Sequence, residues 1–161
     1  METLVKEVSL LSEDLVKKCI EKNQKIVFAE SMTGGLLASL VTSIPDASKV
    51  LKESFVVYSN EAKVKILNCK RKTIDQYSVY SKEIIEEMLE GLLSLSNASI
   101  RVAVSGIAGP KSYHDVQVGT VYIGIYIGDQ KLIFKKKFQG DRQTIQYKTC
   151  IFIFKTIMNN I

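Results

Sequence analysis

Tryptophan is absent from this 161-residue sequence, which also contains only two prolines and one histidine. With so few prolines, and with no Pro/Gly/Ser-rich linker or internal repeat, nothing marks a boundary between domains. No apolar run approaches the ~18 residues that a membrane-spanning helix needs, and the N-terminal segment lacks the apolar core of a secretory signal. We therefore predict a single domain over residues 1–161, located in the cytoplasm and not attached to a membrane.

Arginine is scarce as well, occurring only at positions 71, 101 and 142, although the net charge is +5. The densest basic run, Lys135-Lys136-Lys137, lies between two phenylalanines and is typical of a solvated strand face or a protected sheet edge. A nucleic-acid-binding protein more often clusters its cations and interleaves them with aromatic residues. We therefore expect no nucleic-acid partner, while the charge permits attraction to small anionic ligands such as phosphates without demonstrating it.

The three cysteines are widely spaced and odd in number, which fits neither a disulfide framework nor a zinc-binding pattern. We expect reduced thiols.

Helices and strands alternate early in the chain, and a hairpin follows late. This order predicts an α/β fold, a three-layer α/β/α sandwich with a mixed sheet. In such sheets a ligand binds outside the strand ends, where loops start helices, which directs attention to the loops 30–35, 58–63 and 105–117. The predicted strands are 25–30, 54–58, 100–104, 118–127 and 131–138. The predicted helices are 12–23, 34–44, a short piece at 46–52, 61–67, 81–95 and 142 to the C-terminus.

A serine and two glycines separate a strand from a helix in "AESMTGG", residues 29–35. Ser31 follows the strand directly, and Gly34 and Gly35 let the backbone bend and approach a ligand closely. The first N–H groups of the following helix are potential donors to a phosphate or to a developing oxyanion. The alternative is that Ser31 or Thr33 merely caps the helix.

The second loop carries a tyrosine at a strand end and a lysine in the first turn of a helix, Tyr58 and Lys63. A cation there opposes the helix dipole, and together with burial this placement lowers the pKa of a lysine. A neutral lysine can act as a general base toward a serine. The alternative is a surface lysine whose ammonium group reaches water.

The third loop begins with another strand-to-glycine transition, Ser105-Gly106, whose backbone can approach a ligand from the opposite wall. The only histidine, His114, lies further along this loop between Tyr113 and Asp115, among polar residues. We therefore do not predict a Ser-His-Asp triad.

In combination, five segments resemble the CinA C-terminal domain family, the nicotinamide-nucleotide amidases. The resemblance implies hydrolysis of the carboxamide of nicotinamide mononucleotide to nicotinic acid mononucleotide and ammonia, in pyridine nucleotide recycling. It also implies a small-molecule nucleotide substrate, no metal, no cofactor and a homo-oligomer, which we expect to be a dimer. The segments are "AESMTGGLLASLVTSIP", "FVVYSNEAKVKIL", "VAVSGIAGP", "VGTVYIGI" and "FQGDR", in that order between residues 29 and 142.

The family resemblance also implies roles for individual residues. Ser31 matches the nucleophile and Lys63 the general base, with Tyr58 helping to orient the pair. Arg142 matches the arginine of a Gly-Asp-Arg motif, and we expect its guanidinium fork to meet the phosphate; the alternative is a structural ion pair. Residues matching the loops that line the site are Thr33, Gly34 and Gly35 on one side and Ser105 and Gly106 on the other.

Residues 111–117 depart from the family pattern, which usually has a glycine-rich stretch ending in Lys-Pro there. This sequence reads "KSYHDVQ" instead, in a loop that we expect to cover the pocket. The departure favours an alternative to the amidase, namely a catalytically weak or inactive nucleotide-binding module of the competence/damage-inducible CinA type. The intact Ser31, Tyr58 and Lys63 favour the amidase.

Overall fold

A computed structural model describes residues 1–161 and shows a five-stranded sheet between two layers of helices. No helix combines the length and the apolarity needed to cross a bilayer. The strands are β1 (Ile26–Glu30), β2 (Leu51–Val56), β3 (Ile100–Gly106), β4 (Thr120–Ile127) and β5 (Gln130–Lys137), and the helices are α1 (Glu2–Glu21), α2 (Leu36–Thr42), α3 (Asn60–Leu67), α4 (Arg71–Tyr77), α5 (Lys82–Leu95) and α6 (Arg142–Met158).

The sheet has the order β2-β1-β3-β4-β5 and is mixed. Strand β1 pairs in parallel with β2 and β3, whereas β4 runs antiparallel to both β3 and β5. The predicted α/β sandwich with a mixed sheet is thus confirmed. Because β1, β2 and β3 run in the same direction, the loops that follow them leave from the same edge of the sheet.

Alternating side chains of β1 contribute to two separate cores, one on each face of the sheet. Ile26 and Phe28 pack with α1, α2 and α6, while Val27 and Ala29 pack on the other face with α3, α4 and α5. Glu30 continues this alternation and points to the side of α2, where its carboxylate binds the helix. The side chains of the consecutive residues Glu30 and Ser31 therefore point toward different neighbours.

The first helix is longer than the sequence pattern predicted. It begins at Glu2 instead of residue 12 because Val8, and Leu4 one turn earlier, extend the apolar stripe that packs on the core. Ser12, which the predicted boundary places at the helix start, lies inside the helix and donates to the Val8 carbonyl over 2.7 Å.

Two further elements differ from prediction. Strand β2 spans Leu51–Val56 instead of 54–58, because its pairing with β1 begins at Leu51, before the most apolar part of the segment. Helix α4 was not predicted at all, since its seven residues carry only one buried apolar side chain, Ile74.

A glycine in α5 allows this helix to lie very close to the end of α3. A Cβ atom at Gly91 would lie 2.3 Å from the Leu67 carbonyl oxygen and 2.8 Å from its Cα. Leu67 is the last residue of α3, the helix that carries Lys63. The glycine therefore helps to set the position of a predicted site residue.

We expect Gly91→Ala to destabilise the protein. In a free helix, replacing glycine by alanine stabilises the helix by about 1 kcal/mol. Overpacking against immobile backbone atoms lowers the folding stability by about 1–3 kcal/mol, so the clash should outweigh the helix preference. Urea denaturation measures the free energy of unfolding, with the exposed neighbour Glu90→Ala as control. An unchanged or higher stability of Gly91→Ala would contradict the close packing of the two helices.

Candidate active site

The side chains of Ser31 and Lys63 meet at the edge of the sheet where the parallel strands end. Ser31 follows β1 directly, Lys63 is the fourth residue of α3, and Nζ of Lys63 lies 3.0 Å from Oγ of Ser31. Lys63 is 1% exposed and Ser31 7% exposed. The structure therefore brings the predicted nucleophile and base into direct contact, in a protected position.

Main-chain oxygens hold the lysine amine from the other side. Nζ of Lys63 lies 2.8 Å from the Val57 carbonyl oxygen and 3.4 Å from that of Tyr58. A charged amine donates to these two carbonyls and to Ser31. A neutral amine has only two N–H groups, and when these serve the carbonyls its lone pair remains for the Ser31 hydroxyl. The geometry suits a base that gains and loses a proton.

Burial lowers the pKa of Lys63 from 10.5 to about 8, with a smaller opposing influence from Cys69. All three oxygens around the amine are formally neutral, and no carboxylate forms an ion pair with it. The cost of removing the charge from water is therefore not offset by an opposite charge. The pKa of Lys63 is lowered, as predicted, but the dominant cause is burial and not the helix dipole.

Raising the pH should stabilise the wild-type fold relative to Lys63→Met. The lysine pKa is 10.5 in a free chain and about 8 in the fold, so between these values the unfolded state binds more protons and the folded state is favoured as pH rises. From about pH 7 to about pH 10 the difference in unfolding free energy should shift by about 2 kcal/mol toward the wild type. Urea titrations at both pH values measure it, and a constant difference would contradict the lowered pKa.

The N-terminus of α2 is capped by a buried carboxylate, not by Ser31 or Thr33. Glu30 is fully buried and accepts hydrogen bonds from the backbone N–H groups of three residues. The donors are Gly35 at 3.1 Å, Leu37 at 3.0 Å and Ala38 at 2.9 Å. These two expectations are therefore corrected: neither hydroxyl caps the helix, and these helix amides are not free to bind a phosphate or an oxyanion.

The backbone amides immediately after Ser31 are free instead. The N–H groups of Met32 and Thr33 donate to no acceptor in the chain, although both residues are buried. The hydroxyl of Thr33 is buried without a partner as well. Unpaired buried donors are rare in folded proteins. This pair of amides is therefore the better candidate for binding an oxyanion next to Ser31.

A cavity of about 300 Å³ opens beside Ser31. Two cationic side chains, Lys111 and Arg142, line it, and no carboxylate does. The chemistry of this surface suits a ligand with an anionic group and a planar ring. The lining residues are Ser31, Met32, Tyr58, Tyr80, Gly106, Ile107, Ala108, Gly109, Lys111, Ser112, Tyr113 and Arg142.

Four residues predicted for binding do not line this cavity. Thr33, Gly34 and Gly35 form the turn between Met32 and α2, and the two glycines adopt positive φ angles of 61° and 97°. Ser105 is fully buried, and its hydroxyl donates to the Val79 carbonyl over 2.7 Å. Ser105 and the two glycines therefore do not border the ligand space. Of Thr33, only the free backbone N–H, two residues after Ser31, remains a candidate for contact with a ligand.

Arg142 links two of the loops around the cavity. It is the first residue of α6, and its guanidinium donates to the Gly109 carbonyl over 2.6 Å and to the Tyr58 hydroxyl over 2.9 Å. Tyr58 thus touches Lys63 through its carbonyl oxygen and Arg142 through its phenol. Since a guanidinium has five N–H donors, Arg142 retains further donors for a ligand.

Aromatic residues that the sequence motifs did not indicate complete the cavity. The Tyr80 and Tyr113 rings meet edge to face with centroids 5.5 Å apart. Tyr113 belongs to the loop 111–117, which does border the ligand space. Tyr80 lies between two helices in a segment without any motif, so nothing in the sequence pointed to it. His114 is absent from the lining.

These features define an α/β domain with a buried serine–lysine pair beside a cationic, tyrosine-rich cavity. The sequence model of the CinA C-terminal domain matches residues 8–161. The chain therefore belongs to the CinA C-terminal domain family.

Individual relatives agree with this assignment. A CinA-like protein of Petrotoga mobilis is 40% identical over 141 residues, covering 87% of this chain and 35% of the relative. A CinA-like protein of Thermotoga neapolitana is 38% identical over 151 residues, covering 92% and 37%. The chain thus spans about a third of the length of these curated relatives. The crystal structure of competence damage-inducible protein A from Klebsiella pneumoniae superimposes with a TM-score of 0.91 at 28% identity, covering 95% of this chain and 96% of that one.

Proposed function

We propose that this protein hydrolyses the carboxamide of nicotinamide mononucleotide, giving nicotinic acid mononucleotide and ammonia. The substrate follows from the resemblance to the nicotinamide-nucleotide amidases. The observation that carries the chemistry is the 3.0 Å contact between the Ser31 hydroxyl and the buried Lys63 amine. An amide is a poor electrophile, and a serine needs an adjacent base to attack it.

The reaction begins when neutral Lys63 takes the Ser31 proton as Oγ forms a bond to the carboxamide carbon. The carbonyl oxygen becomes an oxyanion next to the free amides of Met32 and Thr33. One such donor is commonly worth about 10²–10³ in rate. Lys63 returns the proton to the leaving nitrogen, the C–N bond breaks, and ammonia departs. Water then hydrolyses the Ser31 ester by the same proton route, which restores the enzyme.

The chemistry of the cavity lining suits a substrate with a ring and a phosphate. Tyr58, Tyr80 and Tyr113 offer aromatic surface for a planar ring, with which aromatic side chains interact favourably. Arg142 and Lys111 supply positive charge without a competing carboxylate in the lining. A guanidinium suits phosphate recognition because its donors match two phosphate oxygens at once.

Ammonia release from nicotinamide mononucleotide should require both members of the pair. We expect the wild type to be active and Ser31→Ala and Lys63→Ala to lose measurable activity, while Lys65→Ala, an exposed change on the same helix, retains it. The wild-type rate should rise as the pH increases through about 8, because only neutral Lys63 can accept the serine proton.

Equal ammonia release from all four proteins would contradict the serine–lysine mechanism. Binding of the nucleotide without turnover, seen as a raised melting temperature, would favour the alternative of a nucleotide-binding module. The loop 111–117 is the feature behind that alternative, since it supplies Lys111, Ser112 and Tyr113 to the cavity wall in place of a glycine-rich segment.

Replacing Arg142 by methionine should weaken substrate binding more than turnover. A charge-assisted hydrogen bond is worth about 1.5–3 kcal/mol, so KM for the mononucleotide should rise about ten- to a hundredfold. KM for nicotinamide riboside, which lacks the phosphate, should change little. Steady-state kinetics with both substrates measure this, with the exposed Arg71→Met as control. A parallel rise for both substrates would argue against phosphate recognition by Arg142.

A further inference from the structure

Gln146 makes a long-range contact to the residue that follows the candidate nucleophile. It lies on α6, half-buried, and its Nε2 donates to the Met32 carbonyl oxygen over 2.8 Å, across 114 positions of the sequence. Because a carbonyl only accepts, the amide nitrogen of Gln146 must face Met32. This contact plays no part in the mechanism described above.

The contact fixes a peptide unit whose other end is free. The Met32 carbonyl and the Thr33 N–H belong to the same planar trans peptide, so they point in opposite directions and rotate together. The Thr33 N–H donates to no acceptor in the chain. A hydrogen bond on the carbonyl also polarises the peptide and strengthens the N–H as a donor.

We infer that Gln146 is a positioning residue, which orients and polarises the Thr33 amide toward the oxyanion formed when Ser31 attacks its substrate. This inference rests on the proposed function for the identity of the substrate. Its geometric basis, the contact of Gln146 with Met32 and the free Thr33 N–H, is independent of that function. The hydrogen-bond chain runs from Gln146 Nε2 to the Met32 carbonyl, and from the Thr33 N–H to the developing charge. Such a residue acts on the transition state and has little influence on substrate binding.

A merely structural role for Gln146, holding α6 to the loop, predicts a different pattern. Helix α6 is already fixed in its first turns by the buried side chains of Ile145 and Thr149 and by the contacts of Arg142. Loss of Gln146 would then lower the stability of the protein slightly, without a selective effect on kcat. A positioning role predicts a loss confined to kcat.

The test compares Gln146→Met and Gln146→Glu with Gln143→Met. Methionine preserves the length of the side chain without a donor, and glutamate replaces the donor by an acceptor. Gln143 is exposed on the same helix and makes no side-chain hydrogen bond, so it is a matched control. With nicotinamide mononucleotide we expect kcat to fall about tenfold or more in both Gln146 variants, KM to stay within about twofold, and the control to match the wild type.

A second measurement does not depend on the substrate. A fluorophosphonate probe reacts when Ser31 Oγ bonds to phosphorus, fluoride leaves, and the serine proton passes to Lys63, while the phosphonyl oxygen occupies the place of the oxyanion. Intact mass follows the adduct over time. We expect the rate constant of labelling to fall about tenfold in the Gln146 variants and to be unchanged in Gln143→Met.

The two measurements separate the two proposals. Labelling that depends on Gln146, together with no ammonia release by the wild type, would refute the proposed substrate and support the positioning role. Ammonia release with equal kcat in wild type and both Gln146 variants would overturn the positioning role alone. A wild type that the probe does not label would overturn it too. If Gln146→Glu fails to fold, as judged by thermal unfolding, Gln146→Met decides the outcome.

Discussion

A lysine amine buried without a carboxylate is the constraint on which this site depends. An isolated buried ammonium is costly, and proteins usually neutralise it or pair it. Here Lys63 is surrounded by the Ser31 hydroxyl and the carbonyls of Val57 and Tyr58. These oxygens come from the loops after two neighbouring strands, β1 and β2, which run in parallel. The parallel pairing of these strands thus creates the environment that lowers the pKa of the amine toward neutral pH.

The buried carboxylate of Glu30, next to Ser31 in the chain, could have cancelled the lowering of the Lys63 pKa. The alternation of side chains along β1 prevents this. Glu30 precedes Ser31 by one residue, but its side chain points toward α2 and binds Gly35, Leu37 and Ala38 there. A carboxylate beside Lys63 would instead favour the charged amine and raise its pKa. The same contact uses the α2 amides, so the function proposed for them passes to the amides of Met32 and Thr33. One residue thereby caps the helix and leaves the amides of Met32 and Thr33 as the free donors next to Ser31.

The sequence predicted the mixed sheet from local patterns, and one topological rule places the loops after parallel strands at the same edge of the sheet. That rule directed attention to the loops of Ser31 and Lys63, whereas the roles of the two residues as nucleophile and base came from the family resemblance. The capping of α2 by Glu30 could not be predicted from the sequence, since a glutamate at the end of an apolar strand is typical of a solvent-exposed strand end. Gln146 and Tyr80 lie in segments without a motif, and their importance depends on which neighbours the tertiary fold supplies. Prediction therefore failed where a contact depends on tertiary packing and neither a motif nor a topological rule indicates it.

Helix α6 shows why such contacts between elements matter for the proposed chemistry. Arg142 and Gln146 are four residues apart, so they lie on the same face of the helix, one turn apart. The first contacts Gly109 and Tyr58 at the cavity wall, and the second contacts Met32, which directly follows Ser31. In the proposed mechanism, one end of this face meets the phosphate and the other orients an oxyanion donor. A rigid helix keeps these two points at a fixed separation, which allows binding of the remote phosphate to place the carboxamide against Ser31.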